Sequence, residues 1–592
     1  MQDLKKFLQS AKILVDLLCR KFDATQHSPL SDANCNPGDP RNFSTEFEEF
    51  SSLGSVIPHF LDEDDKYVFA TLLQALRLAA LSHDLGHPPF SHVTEYALLD
   101  AKAFVSTLKN PNLEQRQFIN CLKNSGTGVN EIYPHEVLTL TLFNGLSRDV
   151  LLGIGKENKT DKQYCYAWLS LRMAANILSE GCDLTSNDVD AIEVLRCLHA
   201  LTAGDLDGDR LDYIQRDAVL AGIKDSGLRA ERLIQLMRLT YADVAAKDQT
   251  KKVNAPRVVP NIRSLRSLEE YFSARFELYR SVIFHHHVVR TDGLFQCIVK
   301  DLTIKCLQSD SQEGRLAAGA TQQILLLSSS KSSIAWLWLI FDEQIINVRG
   351  QEQRNRLYLQ WDDYWLLSLL RAMYIELHEA SRNEEDEILY RRLEELIASK
   401  RNYLSLVKRF EDFREIEISF FRELKRRFKD NQALAELVAT PFDRTGEDSA
   451  RIENKGEKAK KELADKLLLL DEEAAAERSL WLANFARLAA DGNRIHEGFE
   501  PKFCKDVGTK DVLLIYKAIK PGFEKDFLVQ TDSGPRPFAE YSVLAKELES
   551  KESRWPLFFA YVLKPIITSS PQDLRKKLGE ALAESYIARC LM

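Results

Sequence analysis

Three histidines and one aspartate lie within a single short stretch, LSHDLGHPPFSH. Imidazole and carboxylate together suit Mn, Fe, Mg, Ni or Zn better than they suit a thiolate-type metal site. We interpret His83 and Asp84 as metal ligands at the last turn of a helix that Gly86 and the following prolines end. His87 and His92 supply imidazoles that can contact phosphate or transfer protons. The full pattern H-D-x-G-H-x-P-x-S-H is far more specific than a His-Asp pair. The alternative interpretation is a polar helix end with solvated histidines.

A second polar stretch, GDLDGDRLDYIQRD, covers residues 204–217. Asp209, Asp212, Tyr213, Arg216 and Asp217 recur at i, i+3, i+4, i+7 and i+8, so they share one face of a helix. A stripe of carboxylates, a phenol and a guanidinium is too polar for a core. It predicts the wall of a cleft that holds a cation and phosphates. The alternative is a salt-bridged face in solvent.

Helical periodicity dominates the elements that must position these residues. Apolar residues at a spacing of three to four predict helices over 66–82, 193–201, 211–223, 268–290 and 361–378. Further helices are predicted over 1–23, 389–438 and 455–490, and loops over 28–44 and 440–454. Near the C-terminus the pattern changes to strands at 511–519, 527–530 and 558–563, with helices at 540–549 and 571–589. The predicted fold is mainly α-helical, with a helical core, a helical extension and a small C-terminal α+β unit.

The composition excludes several classes of protein. The chain has 592 residues, of which 45% are hydrophobic and 28% charged, as in ordinary soluble globular proteins. A net charge of −9 gives no global attraction to nucleic acid, although a local basic site remains open. Ten cysteines without a C-x-x-C pair argue against zinc ribbons and a disulfide framework. The strongest apolar run, 334–341, is far short of the ~20 residues that span a bilayer. We predict a soluble, cytoplasmic protein.

The two polar stretches resemble the HD-superfamily metal-dependent phosphohydrolases. They are most similar to the deoxynucleoside triphosphate triphosphohydrolases (dGTPase-like) and related bacterial HD-domain proteins. That family uses H…HD…D metal ligands, with the last aspartate in a D-R-L-D-Y or D-K-W-D-Y sequence. The resemblance covers about residues 1–310 and continues more loosely through the Trp361-Asp362-Asp363 segment and the C-terminal α+β segment.

The resemblance implies a role for several individual residues. His83, Asp84 and Asp209 match the metal ligands. The residues that match positions near the scissile phosphate are His87, His92 and His135, the last in the sequence YPHE. The residues expected to bind substrate are Arg210, Tyr213, Asp217, Arg275 and Tyr279. The last two lie one turn apart in RFELYRSVIFHHH, which is similar to a later helix that closes the family's pocket. A tyrosine is common in the family where this chain has Ile283.

One feature of the family is not found in the sequence. The family's first metal ligand is a histidine in an R-F-x-H-S-L-G segment, just before the helix that here begins near Met1. His27 is followed by Ser28, but then by a proline and a loop-like stretch, and His59 has no matching context. Either the natural reading frame is longer or the domain has lost a ligand. Three ligands can still hold a catalytic metal, with lower affinity.

Consecutive histidines at 285–287 suggest metal binding, but such residues diverge on a helix, so a lining of a cleft or an interface is favoured.

We predict three domains: an HD phosphohydrolase domain at 1–310, a helical extension at 311–495 and an α+β domain at 496–592. The preferred function is hydrolysis of a dNTP to a deoxynucleoside and triphosphate with a divalent metal. The alternatives are another HD nucleotidase or phosphodiesterase, and a non-catalytic module that binds nucleotide or nucleic acid. By analogy we expect a homo-oligomer, and a nucleotide effector remains open.

Overall fold

The computed structural model describes residues 2–25, 57–58, 60–122, 134–156, 161–181, 189–223, 230–245, 252–308, 334–340, 361–427, 503–516, 527–552, 558–564 and 569–590. His27, His59 and the segments predicted as loops at 28–44 and 440–454 and as a helix at 455–490 lie outside the described residues. Within the described ranges the protein is mainly α-helical, which confirms the predicted fold class. The division into three domains stays a prediction.

In the first half of the chain, the described residues are mostly helical. Its helices are α1 (Gln2–Thr25), α2 (Glu63–Ser82), α3 (His92–Ser106), α4 (Leu113–Cys121), α5 (Pro134–Lys156), α6 (Asp161–Leu178), α7 (Val189–His199), α8 (Gly208–Leu220), α9 (Ala230–Gln235) and α10 (Leu265–Leu278). The later helices are α11 (His286–Gln308), α12 (Trp336–Leu339), α13 (Asp363–Glu379), α14 (Glu384–Ala398), α15 (Phe410–Arg427), α16 (Val543–Glu552) and α17 (Pro571–Cys590). The helices predicted over 66–82, 193–201, 211–223, 361–378 and 571–589 are confirmed within a few residues at their ends.

Among the described residues, three small sheets accompany the helices. Strands β1 (Met237–Ala245) and β2 (Lys252–Pro260) form an antiparallel hairpin in which Met237 pairs with Pro260. Strand β3 (Tyr403–Ser405) and strand β4 (Val512–Tyr516) both pair antiparallel with β7 (Phe558–Leu563), in the order β3-β7-β4. Strands β5 (Leu528–Thr531) and β6 (Gly534–Pro537) form a second hairpin. The three strands predicted near the C-terminus are confirmed, whereas the β1–β2 hairpin and strands β3 and β6 were not predicted.

Separate apolar clusters support the two chain segments that carry the polar stretches. Helix α2 packs its buried Ala75 and Ala79 in a cluster with α1, α6 and α7. Helix α8 contributes Leu211 and Ile214 to another cluster, which includes the fully buried Phe272 of α10. Each polar stretch is therefore attached to a helix whose opposite face is anchored in a core.

Two predicted helices are interrupted. The helix predicted over 268–290 breaks after α10 into a π-helical turn, Tyr279–Ile283, and restarts at His286. Such turns insert an extra residue and occur often at functional sites. The helix predicted over 389–438 stops at the end of α14. The next residue, Ser399, adopts a left-handed conformation with φ of 55°. Strand β3 and helix α15 follow, because the chain pairs with β7 instead of continuing as a helix.

A buried ion pair joins α14 to the C-terminal sheet. The guanidinium of Arg392 donates two hydrogen bonds to Asp511, both of 2.8 Å, and a third to Asp301 at 2.6 Å. Tyr403 of β3 also donates its hydroxyl to Asp511. The side chain of Arg392 is only 10% exposed. These contacts tie residues near 400 to residues beyond 500 as one packed body.

Among the described residues, no helix is long and apolar enough to cross a membrane.

Candidate active site

Helix α2 delivers His83 and Asp84 at its C-terminal end, as predicted. The helix is capped at its start by Asp62, whose carboxylate accepts the Asp65 N–H at 2.9 Å. His83 closes the helix in a right-handed conformation, and its Nδ1 donates to the Ala80 carbonyl oxygen at 2.9 Å. A proton on Nδ1 leaves the lone pair of Nε2 free, and Nε2 lies 3.3 Å from the Asp84 carboxylate. The backbone thus orients the imidazole as a ligand.

Asp209 reaches the same point from the first turn of α8. Asp207 caps this helix by accepting the Arg210 N–H at 2.7 Å, and the same carboxylate accepts the Gly204 N–H at 3.1 Å. Ligand atoms of His83, Asp84 and Asp209 all lie within 4.8 Å of one another. The structure therefore brings together the three residues predicted as metal ligands, across more than a hundred positions of sequence.

This metal triad (His83, Asp84 and Asp209) fits a hard or borderline divalent cation. One imidazole nitrogen and two carboxylates are the donors that Mn, Fe, Mg, Ni and Zn accept. Asp84 and Asp209 are exposed, so positions remain for water and substrate oxygens. A hydrogen bond from His87 lowers the pKa of Asp84, against an opposing effect of burial, and the neighbouring imidazoles add to the lowering. Asp84 is therefore ionised, as a metal ligand must be.

A second cluster, the histidine–glutamate cluster, lies beside the triad. It consists of His87, His92, Glu95 and His135, whose ligand atoms also lie within 4.8 Å of one another. The ring of His87 stacks on His135 at a centroid distance of 4.2 Å and meets His92 at 4.5 Å. His87 Nε2 lies 3.3 Å from the Asp84 carboxylate, so the two clusters adjoin. The three histidines predicted as catalytic are thus brought together.

Glu95 is the member of this cluster that the sequence did not single out. Its side chain is 2% exposed and accepts hydrogen bonds from His135, from Nδ1 at 2.9 Å and from the backbone N–H at 3.1 Å. His92 Nδ1 lies 3.4 Å away. Burial opposes ionisation, but the hydrogen bonds from His135 and His92 outweigh it and lower the pKa of Glu95 to about 2. The spacing His92-x-x-Glu95 on α3 was the available signal.

Gly86 holds the ligand turn against α5. Its N–H donates to Thr139 Oγ1 at 2.9 Å, and the Thr139 hydroxyl in turn donates to the His83 carbonyl oxygen at 3.1 Å. A Cβ on Gly86 would lie 2.2 Å from the His135 carbonyl oxygen and 2.4 Å from the Thr139 nitrogen, both backbone atoms. Only glycine therefore allows α5 to approach closely enough to place His135 beside His87.

Gly86→Ala is expected to destabilise the protein by roughly 2–3 kcal/mol, because backbone must move to admit the new methyl group. Urea unfolding followed by circular dichroism measures the change. Gly153 on the same helix α5 is a matched control, because nothing lies within 4 Å of a Cβ built there. Gly153→Ala should raise stability by about 0.5–1 kcal/mol, since alanine favours a helix. Equal effects of the two substitutions would contradict the close approach at Gly86.

The polar face of α8 is partly a surface of ion pairs. Arg216 contacts Asp212 at 2.6 Å and Asp217 at 3.1 Å, with side chains 44–66% exposed. Arg210 lies 3.3 Å from Asp207 and turns back toward the start of its own helix. The salt-bridged alternative thus describes Asp212, Arg216 and Asp217, and the cleft predicted for the rest of this face stays a prediction. The predicted substrate roles of Arg210 and Asp217 stay predictions.

Three residues predicted to bind substrate, Tyr213, Arg275 and Tyr279, lie together in a patch one helical turn from Asp209. The hydroxyls of Tyr213 and Tyr279 lie 3.3 Å apart, and the Arg275 guanidinium sits 4.5 Å from the centre of the Tyr279 ring. Burial, and then Tyr279, raises the pKa of the Tyr213 phenol. Asp209 and Tyr213 are four residues apart on α8 and so point to the same side.

The histidines at 285–287 do not diverge as the sequence suggested. Their ring centroids lie 4.2–5.4 Å apart. The reason is the break after the π-helical turn: His285 precedes α11, so the three residues do not share one regular helix. Burial, and then the charges of His287 and His285, lowers the pKa of His286 to about 4.

No protein-family model matches the chain. Three curated relatives match part of it: an uncharacterised protein, YwfO, of Bacillus subtilis, 25% identical over 207 residues, and the uncharacterised MG461 proteins of Mycoplasma pneumoniae and Mycoplasma genitalium, each 25% identical over 236 and 210 residues. The matches cover 35–39% of this chain and 32–43% of those relatives, so they span less than half of each.

Solved structures give a similarly distant likeness. A phosphohydrolase of Bacteroides thetaiotaomicron is 16% identical with a TM-score of 0.39, over 84% of this chain and 80% of its own. A hypothetical protein of Aquifex aeolicus is 16% identical with a TM-score of 0.37, over 86% of this chain and 79% of its own. Likenesses of this size carry no conclusion about activity.

Proposed function

We propose that this chain is a metal-dependent phosphohydrolase that acts on nucleotides, converting a dNTP to a deoxynucleoside and inorganic triphosphate. The observation that supports the proposal is the position of the metal triad directly beside the histidine–glutamate cluster. The first group suits a cation, and the second suits proton transfer. The choice of a dNTP as substrate comes from the resemblance of the two polar stretches to the triphosphohydrolases.

His83, Asp84 and Asp209 would hold the metal. When bound, a divalent cation at these residues polarises a phosphoryl oxygen and lowers the pKa of water. The ionised Asp84 lies against His87, so His87 is placed to orient a phosphate at the boundary between the two clusters. Positioning and charge compensation of this kind carry most of the catalysis in phosphoryl transfer.

His135 is our candidate for protonating the leaving group. Its Nδ1–H donates to the buried carboxylate of Glu95, so the proton to be donated would be carried on Nε2. Glu95 is ionised, so it stabilises the imidazolium form that carries a proton on Nε2 as well. As water attacks the α-phosphorus and the bond to the 5′-oxygen breaks, that proton passes to the 5′-oxygen and triphosphate is the other product. His92 shares Glu95 and assists.

The patch of Tyr213, Tyr279 and Arg275 would receive the nucleoside. Two phenols can flank a sugar edge, and the Arg275 guanidinium adds positive charge near the phosphates. The patch adjoins Asp209 along α8, so a sugar bound there would lie next to the metal triad. Ile283 stands where the family commonly has tyrosine, so this chain has one phenol fewer for contact with the deoxyribose.

Product analysis tests the proposed function. Purified protein is incubated with each of the four dNTPs and Mn²⁺ or Mg²⁺, and the phosphorus products are separated by ³¹P NMR. We expect inorganic triphosphate and a deoxynucleoside, with no turnover after chelation and recovery when metal is restored. Orthophosphate or pyrophosphate would indicate another HD phosphohydrolase. Nucleotide binding without turnover in either metal would contradict the enzyme and favour a non-catalytic binding module.

A further inference from the structure

The short loop that leads into His92 is held in a strained conformation. Phe90 and Ser91 have φ angles of 59° and 51°, in the left-handed region that residues with side chains rarely adopt. Such strained conformations persist only where their surroundings enforce them. His92 follows at once as the first residue of α3. The direction in which its imidazole enters the histidine–glutamate cluster therefore depends on this loop.

The restraint comes from a distant part of the chain. The Phe90 N–H donates to the Asp363 carboxylate at 2.7 Å, across 273 residues of sequence. The Phe90 ring also packs against Phe295 of α11 at a centroid distance of 4.6 Å. A bond from an N–H to an ionised carboxylate is about twice as strong as one between neutral groups. Asp363 is thus well suited to fix the backbone of the loop.

Asp363 lies at the start of a helix that is capped and packed into an apolar cluster. It is the first residue of α13, and the preceding Asp362 provides the helix cap by accepting the Trp365 N–H at 2.8 Å. The helix buries Leu366 and Leu370 completely in a cluster that also contains residues of α3 and α11. Adjacent aspartates therefore make separate contacts: Asp362 completes its own helix, and Asp363 reaches across to the loop.

We propose that Asp363 is a positioning residue of the active site: by holding the Phe90 N–H, it fixes the strained loop of residues 88–91 and thereby the approach of His92 to Glu95 and His135. The effect on catalysis rests on the proposed function. The restraint on the loop does not, because it is a property of the folded backbone. Asp363, whose role the sequence did not indicate, thus connects α13 to the loop beside the histidine–glutamate cluster.

Three variants test this positioning role. Asp363→Ala removes the acceptor, and we expect kcat to fall by roughly 10- to 100-fold, since misplacement of about 1 Å can cost that much. KM and metal content should stay near the wild-type values. Asp363→Asn keeps an oxygen that can accept the Phe90 N–H and should recover most of kcat. Asp362→Ala removes the helix cap but not the loop contact, so it should lower stability and leave kcat within a few-fold of wild type.

A second measurement keeps the inference separate from the proposed function. Hydrogen exchange of the Phe90 amide and the rate at which diethyl pyrocarbonate modifies His92 both report on the loop. Both should rise in Asp363→Ala and stay unchanged in Asp363→Asn, whether or not the wild-type protein turns over nucleotides. An inactive wild type would contradict the proposed function alone. Unchanged exchange and modification in Asp363→Ala, or an equal loss of kcat in Asp362→Ala, would overturn the positioning role.

Discussion

With Asp209 replaced by alanine, kcat for nucleotide hydrolysis is expected to fall by roughly 10³-fold or more. A bound cation supplies several kcal/mol of transition-state stabilisation, and each ~1.4 kcal/mol corresponds to a factor of ten. Asp209 provides one of the two carboxylates of the metal triad, so the variant keeps one imidazole and one carboxylate. Metal content, measured by mass spectrometry after dialysis, should fall together with turnover. The Asp209 side chain is exposed, so the free energy of unfolding should change by only about 0.5 kcal/mol.

A matched control for Asp209 lies on α5. Asp149 is also exposed, and it follows His135 by fourteen residues on the same helix, about 21 Å along the axis. Asp149→Ala should keep both the metal content and the turnover of the wild type. An Asp209→Ala protein that hydrolyses nucleotides at the wild-type rate would contradict the assignment of Asp209 to the metal triad. The meeting of α2 and α8 would then have no functional explanation.

Glu95→Gln is expected to lower kcat by roughly 10²-fold, within the usual contribution of general acid–base catalysis. The amide is nearly the same shape but uncharged, so it cannot stabilise the imidazolium of His135 that donates the proton. KM should change little, because Glu95 is 2% exposed and lies behind the histidines. Steady-state kinetics across pH measure both effects. Glu411→Gln, at an exposed position on α15, is the control and should keep wild-type kinetics.

The same substitution should change how stability depends on pH. The folded-state pKa of Glu95, about 2, is below its ordinary value of 4.5. The ionised carboxylate therefore stabilises the fold above pH 4.5, and this contribution is lost as the pH falls from 4.5 toward 2. Between about pH 5 and pH 3, wild type should lose about 2 kcal/mol more unfolding free energy than Glu95→Gln. Parallel urea midpoints for the two proteins over that range would show that the Glu95–His135 contact does not form.

The fold class could be predicted from helical periodicity, and the meeting of His83, Asp84 and Asp209 was expected from the resemblance of the two polar stretches. His83 and Asp84 are neighbours with an unusual surrounding pattern, and Asp209 begins a helix whose apolar face is regular. Glu95 was missed because the His92-x-x-Glu95 spacing, although it was an available signal, is common on helices. Its importance comes from burial against His135, forty positions later. Thr139 was missed for the same reason, since its hydroxyl matters only because Gly86 approaches it.

The errors in predicting the elements have a related origin. The β1–β2 hairpin is stabilised by pairing between strands, which local periodicity does not report. The π-helical turn at Tyr279–Ile283 keeps a helical apolar pattern, so the sequence gives no sign of the break before His286. Strand β3 is three residues long and forms only because β7 lies beside it. Tertiary partners decided each of these cases.

The contact of Arg392 with Asp511 has a consequence for truncation. A shortened chain that ends before residue 500 would keep a guanidinium that is 10% exposed in the intact protein but lose the carboxylate that receives two of its hydrogen bonds. Asp301 would be left as the carboxylate partner of Arg392, and strand β3 would lose its partner β7 as well. The C-terminal segment therefore cannot be removed as a separable appendage. Fragments for crystallisation or for expression should retain it.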